Sequence, residues 1–124
     1  MKNIANDSGR SPKFEVLFLE DAREFLLELD EKSKTKIIFN IDKAKYLNDP
    51  KLFKKLTDPL WEFRTKYGGL QYRLLAFWGK TEKMESLVVV TQGFVKKTDK
   101  IQNSELNKAR RLRQLYFFQK RIEK

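Results

Sequence analysis

Apolar and polar positions along the chain fall into two periods, and each stretch predicts its own element. Phe14-Glu-Val-Leu-Phe-Leu19 alternates loosely among β-prone side chains and predicts a first strand. Glu20 and Asp21 then place carboxylates where they favour the positive end of a helix dipole. Ala22, Phe25, Leu26 and Leu29 follow at three- and four-residue spacing, which makes one apolar helical stripe. A second helix is predicted from about Glu31 to Leu47, with Ile37, Ile38, Ile41 and Ala44 inward and Lys32, Lys34, Lys36, Lys43 and Lys45 outward. Asp30 marks the break between the two helices, which together form an αα-hairpin, and Asn48-Asp-Pro50 ends the second.

The period then changes to two. Leu60-Trp-Glu-Phe-Arg64 alternates, and so does Leu70-Gln-Tyr-Arg-Leu-Leu-Ala-Phe-Trp78, with Lys66-Tyr-Gly-Gly69 between them. A Gly-Gly pair between alternating runs is a hairpin signal, because primed turns need positive φ. A turn-like Gly79-Lys-Thr-Glu-Lys83 precedes a third run, Met84 to Gln92, which Gly93 closes. From about Asn103 to Gln119 the helical period returns. Leu106, Ala109, Leu112, Leu115 and Tyr116 are expected on its inner side and Lys108, Arg111 and Arg113 around the other, with Asn103 or Ser104 as cap. The order β-α-α-β-β-β-α predicts an α+β fold, a helical hairpin packed on a small twisted antiparallel sheet. Residues 1–13 are expected to stay flexible, and residues 14–124 to form a single domain.

Composition narrows the chemistry. The 124 residues include neither Cys nor His, which excludes a disulfide framework, a Cys nucleophile, a Ser-His-Asp triad and the usual His/Cys zinc site. Any catalysis falls to Lys, Arg, Tyr, Asp/Glu, Ser/Thr and backbone groups. Lys and Arg number 27 against 17 Asp and Glu, so a polyanion is the expected partner of this +10 chain. Residues 93–124 hold ten of the basic side chains and three of the acidic ones, a skew that suggests a binding face rather than a uniform coat. No apolar run approaches the roughly 20 residues of a membrane helix, and residues 1–13 carry no export signal, so a soluble cytoplasmic protein is expected, with no membrane partner.

Three motifs carry a resemblance. Asp58-Pro-Leu-Trp-Glu-Phe-Arg64, Tyr67-Gly-Gly-Leu-Gln-Tyr-Arg73 and Gly93-Phe-Val-Lys-Lys97 stand in an order and spacing that resemble the HigB-like toxins of the RelE/ParE superfamily of bacterial toxin–antitoxin systems, phage-derived members included. Glu105-Leu-Asn-Lys-Ala-Arg-Arg111 is similar to their closing helix. The resemblance implies a ribosome-dependent endoribonuclease that cuts mRNA and uses neither metal nor other cofactor. In that chemistry the ribose 2′-hydroxyl attacks the adjacent phosphate and leaves a 2′,3′-cyclic phosphate and a 5′-hydroxyl. It also implies a cognate antitoxin, of the helix-turn-helix type, as partner beside the ribosome and mRNA.

The resemblance places a phosphate-contacting arginine at Arg73, on the same strand face as Gln71, Leu75 and Phe77, with Tyr72 and Leu74 opposite. A planar guanidinium holds two phosphate oxygens at once. The alternative for Arg73 is a cross-strand pair with Glu62. Lys96 and Lys97 match the family's terminal basic residue, as acid or transition-state clamp, or else as solvated charge. Arg64 is a candidate for gripping RNA backbone, and Lys66 a further one. Tyr67 and Tyr72 either stack on a base or pack within the sheet. Arg110, Arg111 and Arg113 are candidates for ribosome binding. The general base has no assignment. Two other functions fit the same scaffold: a ParE-like toxin that inhibits DNA gyrase by protein contact, and a non-enzymatic basic domain that binds nucleic acid.

Overall fold

The structure is a computed structural model and describes residues 11–79 and 86–122. Most of the segment expected to be flexible, and most of the turn expected at residues 79–83, lie outside these residues. The elements in order are β1 (Glu15–Phe18), α1 (Glu20–Leu27), α2 (Glu31–Ala44), β2 (Phe53–Thr57), β3 (Leu60–Tyr67), β4 (Leu70–Gly79), β5 (Leu87–Lys96) and α3 (Asn103–Ile122). Among the described residues they form the expected α+β fold, three helices on a five-stranded sheet of order β1-β5-β4-β3-β2. No helix among the described residues is long and apolar enough to cross a membrane.

Two departures from the sequence pattern matter. Phe53–Thr57 forms an additional edge strand, antiparallel to β3, in a stretch where the pattern gave no element. The sheet is not wholly antiparallel either, because β1 pairs in parallel with β5 through Glu15↔Leu87 to Phe18↔Val90. The Gly-Gly hairpin forms as expected. Tyr67 pairs with Leu70, and Gly68 and Gly69 take φ of 60° and 80°, the two positive values a primed two-residue turn requires.

One sheet face packs on the αα-hairpin. Ile37 and Ile41 of α2 meet Phe63, Leu74, Ala76, Val88 and Val90 with Ala22 and Leu26 of α1. Full burial of each Ile, Leu, Val or Phe side chain here stabilises the fold by about 1.5–3 kcal/mol. Phe14, Phe53, Trp61, Phe63 and Trp78 add an aromatic cluster, with Phe53 stacked on Phe63 at 4.3 Å. Asp30 caps α2 by accepting from the Ser33 amide at 3.0 Å. Two buried side-chain hydrogen bonds fix α2 on the sheet, Asn40 Nδ2 to Thr65 Oγ1 at 3.0 Å and the Tyr72 hydroxyl to Ser33 Oγ at 3.1 Å.

The other face carries α3. Ala109 sits on Leu60 and Leu75, and Tyr116 and Phe117 sit on Phe77, Leu87 and Val89. Leu115 departs from its expected inward place and is exposed, as is Phe118. Lys108 reaches Asp21 at the start of α1, at 3.0 Å, and so links helices from the two layers.

The candidate RNA-binding face

Alternation assigns each strand's side chains to a face, and one irregularity decides which face carries the cations. Even-numbered Val88 and Val90 point to the hairpin, whereas even-numbered Phe94 packs with Leu60 and Leu75 under α3. The parity changes at Thr91. Leu75 pairs with Gln92 and Ala76 with Val90, so Thr91 is an extra residue, a β-bulge, whose hydroxyl donates to the Leu75 carbonyl at 3.1 Å. Without it, Gln92, Phe94 and Lys96 would face the hairpin. With it, Lys96 shares a face with Arg64, Lys66, Gln71 and Arg73.

The register gathers these residues at one end of that face. Arg64 stands opposite Arg73, Lys66 opposite Gln71, and Gln71 opposite Lys96. The apolar rows under α3 cover the other end.

Between the two ends lies a buried ion pair. Arg73 Nε is 3.2 Å from Glu62 Oε1, and the side chains are 3% and 4% exposed. The two atoms lack the alignment of a hydrogen bond, but the guanidinium donates elsewhere, to Gln71 Oε1 at 2.8 Å and the Tyr72 carbonyl at 3.2 Å. Burial, and then the neighbouring Arg64, lower the Arg73 pKa, while Glu62 works to raise it. Arginine nonetheless stays cationic in proteins. Arg64 Nε lies 4.0 Å from the other Glu62 oxygen, with its side chain 31% exposed. One buried carboxylate thus stands beside a covered arginine and a partly open one.

Placement of the sequence candidates follows from this. Arg64, Lys66, Arg73 and Lys96 come together on one face, and Lys97 lies just beyond the end of β5. Arg73 occupies the cross-strand pair with Glu62 that alternation allowed, with its guanidinium covered. Tyr72 is on the opposite face, buried against α2, and Tyr67 packs there too, so neither joins the cations. Arg110 donates to Asn107 Oδ1 at 3.2 Å, Arg111 is exposed, and Arg113 lies over the rings of Phe117 and Phe77, at 5.1 and 6.0 Å. The sequence pattern missed Lys54, the register partner of Glu62 on β2, because it left that strand unread.

Beside the cations, the end of β5 and the start of α3 enclose a cleft of about 230 Å³. Phe94, Lys96, Lys97, Lys100, Ile101 and Glu105 line it. Gln92 closes the base of α3 by donating through Nε2 to the Glu105 carbonyl at 2.8 Å and to Glu105 Oε1 at 3.1 Å.

Comparison with known proteins bears on this arrangement. The family model described as "Phage derived protein Gp49-like (DUF891)" matches residues 24–120. The chain belongs to the Gp49-like family. This family is part of the RelE/ParE-like toxin superfamily. The span matched by the Gp49-like model takes in the αα-hairpin from Glu24 onward, the β2–β5 meander, every cation described above and most of α3. No curated protein matches the chain.

Proposed function

We propose that this Gp49-like protein is the toxin of a type II toxin–antitoxin pair and a metal-independent, ribosome-dependent mRNA endoribonuclease of the HigB-like kind. The observation that supports this most is the open cationic end of the sheet. Arg64, Lys66 and Lys96 share that face with the Glu62–Arg73 pair, and among the described residues only Arg64 of the three has a carboxylate within 4.0 Å, that of Glu62.

In this reading the RNA backbone lies along that end. The 2′-oxygen attacks phosphorus, the bond from phosphorus to the 5′-oxygen breaks, and a cyclic phosphate and a 5′-hydroxyl result. Arg64 meets the equatorial oxygens of the phosphorane, where charge develops. An ammonium group, Lys96 or Lys97, donates the proton that the leaving 5′-oxygen needs. Arg73 is a positioning residue. It anchors Glu62, which in turn orients Arg64, and it adds positive potential from below. Glu62 is held by two arginines, so the proton of the 2′-hydroxyl passes to solvent or to an rRNA group while the ribosome holds the RNA in line. Lys54, Arg110 and Arg111 attract the phosphates of the ribosome. The implied partner is a helix-turn-helix antitoxin that masks the toxin.

The test is purified protein added to programmed ribosomes. Cleavage only on the ribosome, in the presence of chelator, with 5′-hydroxyl and 2′,3′-cyclic phosphate ends, is the expected result. Ends bearing a 5′-phosphate, or no cleavage with or without ribosomes, would overturn it.

A further inference from the structure

The cleft between β5 and α3 is continuous with the cationic end of the sheet, because Phe94 is the register partner of Arg73 and Lys96 that of Gln71. Its lining combines apolar, cationic and acidic side chains with the neutral polar Thr98 and Gln102. Phe94 and Ile101 are apolar and half-buried, and they pack beside the Leu60–Leu75–Ala109 cluster. Lys96, Lys97 and Lys100 are cations without an ion-pair partner among the described residues. Glu105 brings a half-buried carboxylate, held in place from behind by Gln92.

An apolar wall of Phe94 and Ile101, ammonium groups and a carboxylate held in place by Gln92 suit a nucleobase carrying a phosphate. The volume decides how many. About 230 Å³ falls below the roughly 300–1,000 Å³ of pockets that hold drug-sized ligands, so the cleft suits one base and not a stacked pair.

The geometry points to a nucleobase subsite in this cleft that selects guanine through Glu105, a specificity-determining site that rests on the ribonuclease reading above. A carboxylate only accepts hydrogen bonds. Guanine presents two adjacent donors on its Watson–Crick edge, N1–H and the exocyclic amine, and pairs with both carboxylate oxygens. Cytosine presents one amine donor beside a single ring-nitrogen acceptor, and adenine one amine donor between two. Uracil presents one N–H between two carbonyl oxygens that repel the carboxylate. The bond from Gln92 to Oε1 leaves lone pairs on both oxygens. The ranking is therefore guanine first, cytosine and adenine next, uracil last. Lys96 and Lys97 hold the attached phosphate beside Arg64, so the base read in the cleft adjoins the phosphate that is cut.

The experiment titrates the full chain with GMP, CMP, AMP and UMP, one at a time, and follows backbone amide shifts. GMP is expected to shift residues 94–105 and to bind about tenfold tighter than UMP, the discrimination of one good bidentate base contact. The informative variant is Glu105→Gln. Its amide oxygen still accepts from Gln92, while its NH₂ faces the cleft as a donor and suits the uracil carbonyls. The GMP-to-UMP ratio is expected to fall to one or below, with amide positions elsewhere unchanged. Equal binding of all four nucleotides, shifts outside the cleft, no shift at millimolar concentration, or an unchanged ratio in Glu105→Gln each overturn the subsite. Binding is read without ribosomes or cleavage. A failed nuclease reading therefore shows as absent RNA ends beside an intact base preference, and a failed subsite as cleavage beside no preference.

Discussion

Glu62 and Arg73 lie diagonally across β3 and β4, 3.2 Å apart at Oε1 and Nε, both almost fully covered. Taking two charges out of water is costly, and their attraction offsets that cost only while both are present. Replacing Arg73 by Met leaves a buried carboxylate with Arg64 alone, 4.0 Å away. The expected loss is about 3–5 kcal/mol in urea unfolding. Glu62→Leu combined with Arg73→Met is expected to recover most of it. Strict additivity of the two single variants would show that the pair is not an energetic unit.

Gly93 is the second structural pivot. The sequence pattern placed it at the end of a strand, whereas β5 runs on through Lys96. The physical reason for glycine is the ring of Phe25 on α1. A Cβ at Gly93 would run into Phe25 Cδ2 and stand 2.7 Å from Cε2 and 2.9 Å from Cγ. Gly93→Ala is expected to destabilise by about 1–3 kcal/mol through overpacking. Phe25→Leu in the same chain is expected to restore part of that loss. An alanine variant as stable as the parent would show that α1 moves freely over β5.

The three arginines of α3 are not equivalent, although the sequence treats them as one basic group. Arg111 is exposed, while Arg113 lies on Phe117 and Phe77. Arg111→Glu is expected to change stability by no more than about 0.5 kcal/mol, and to weaken ribosome binding with a reduced salt slope. Arg113→Glu is expected to lower the melting temperature as well, because it removes a stacked cation and places a carboxylate over aromatic faces. Equal melting temperatures for the two would contradict the stacked placement.

The helices and the hairpin were legible because their signals are local. Three- and four-residue spacing gave α1, α2 and α3, and Gly68-Gly69 gave the turn between β3 and β4. The remainder depended on partners distant in sequence. Phe53-Lys-Lys-Leu-Thr57 has two exposed lysines and becomes a strand only because β3 offers it an edge. The parallel pairing of β1 with β5 joins segments some seventy residues apart. For the candidate site, alternation placed Arg73 with Gln71 and Leu75, and offered Glu62 as its partner. It did not disclose that this pair is almost fully covered while Arg64 is the more open arginine. Nor does any local pattern mark Thr91 as a bulge, yet that one residue turns Lys96 toward Arg64.

Asp30 supplies a pH-dependent contribution to the hairpin. Hydrogen bonds from Ser33 hold its carboxyl below the ordinary value of 3.8. A depressed pKa in the folded state means that the cap's contribution is full above that ordinary value and is lost as pH falls through the folded one. The melting temperature of the parent is therefore expected to exceed that of Asp30→Ala by a constant margin from about pH 7 down to about pH 4, with the margin shrinking in stronger acid. A margin that stays constant or grows in acid would contradict a charged cap.

The Arg64 end of the sheet is proposed to cut mRNA on the ribosome. The deciding measurement is a map of mRNA 5′ ends after brief induction, for the parent chain and for Arg64→Ala. The parent is expected to produce new ends inside translated codons that vanish when translation initiation is blocked. The folded Arg64→Ala variant is expected to lose about a hundredfold of that cleavage, the usual cost of removing one transition-state donor. Growth arrest with intact mRNA would contradict mRNA cleavage and point to gyrase. Undiminished cleavage by Arg64→Ala would contradict the site.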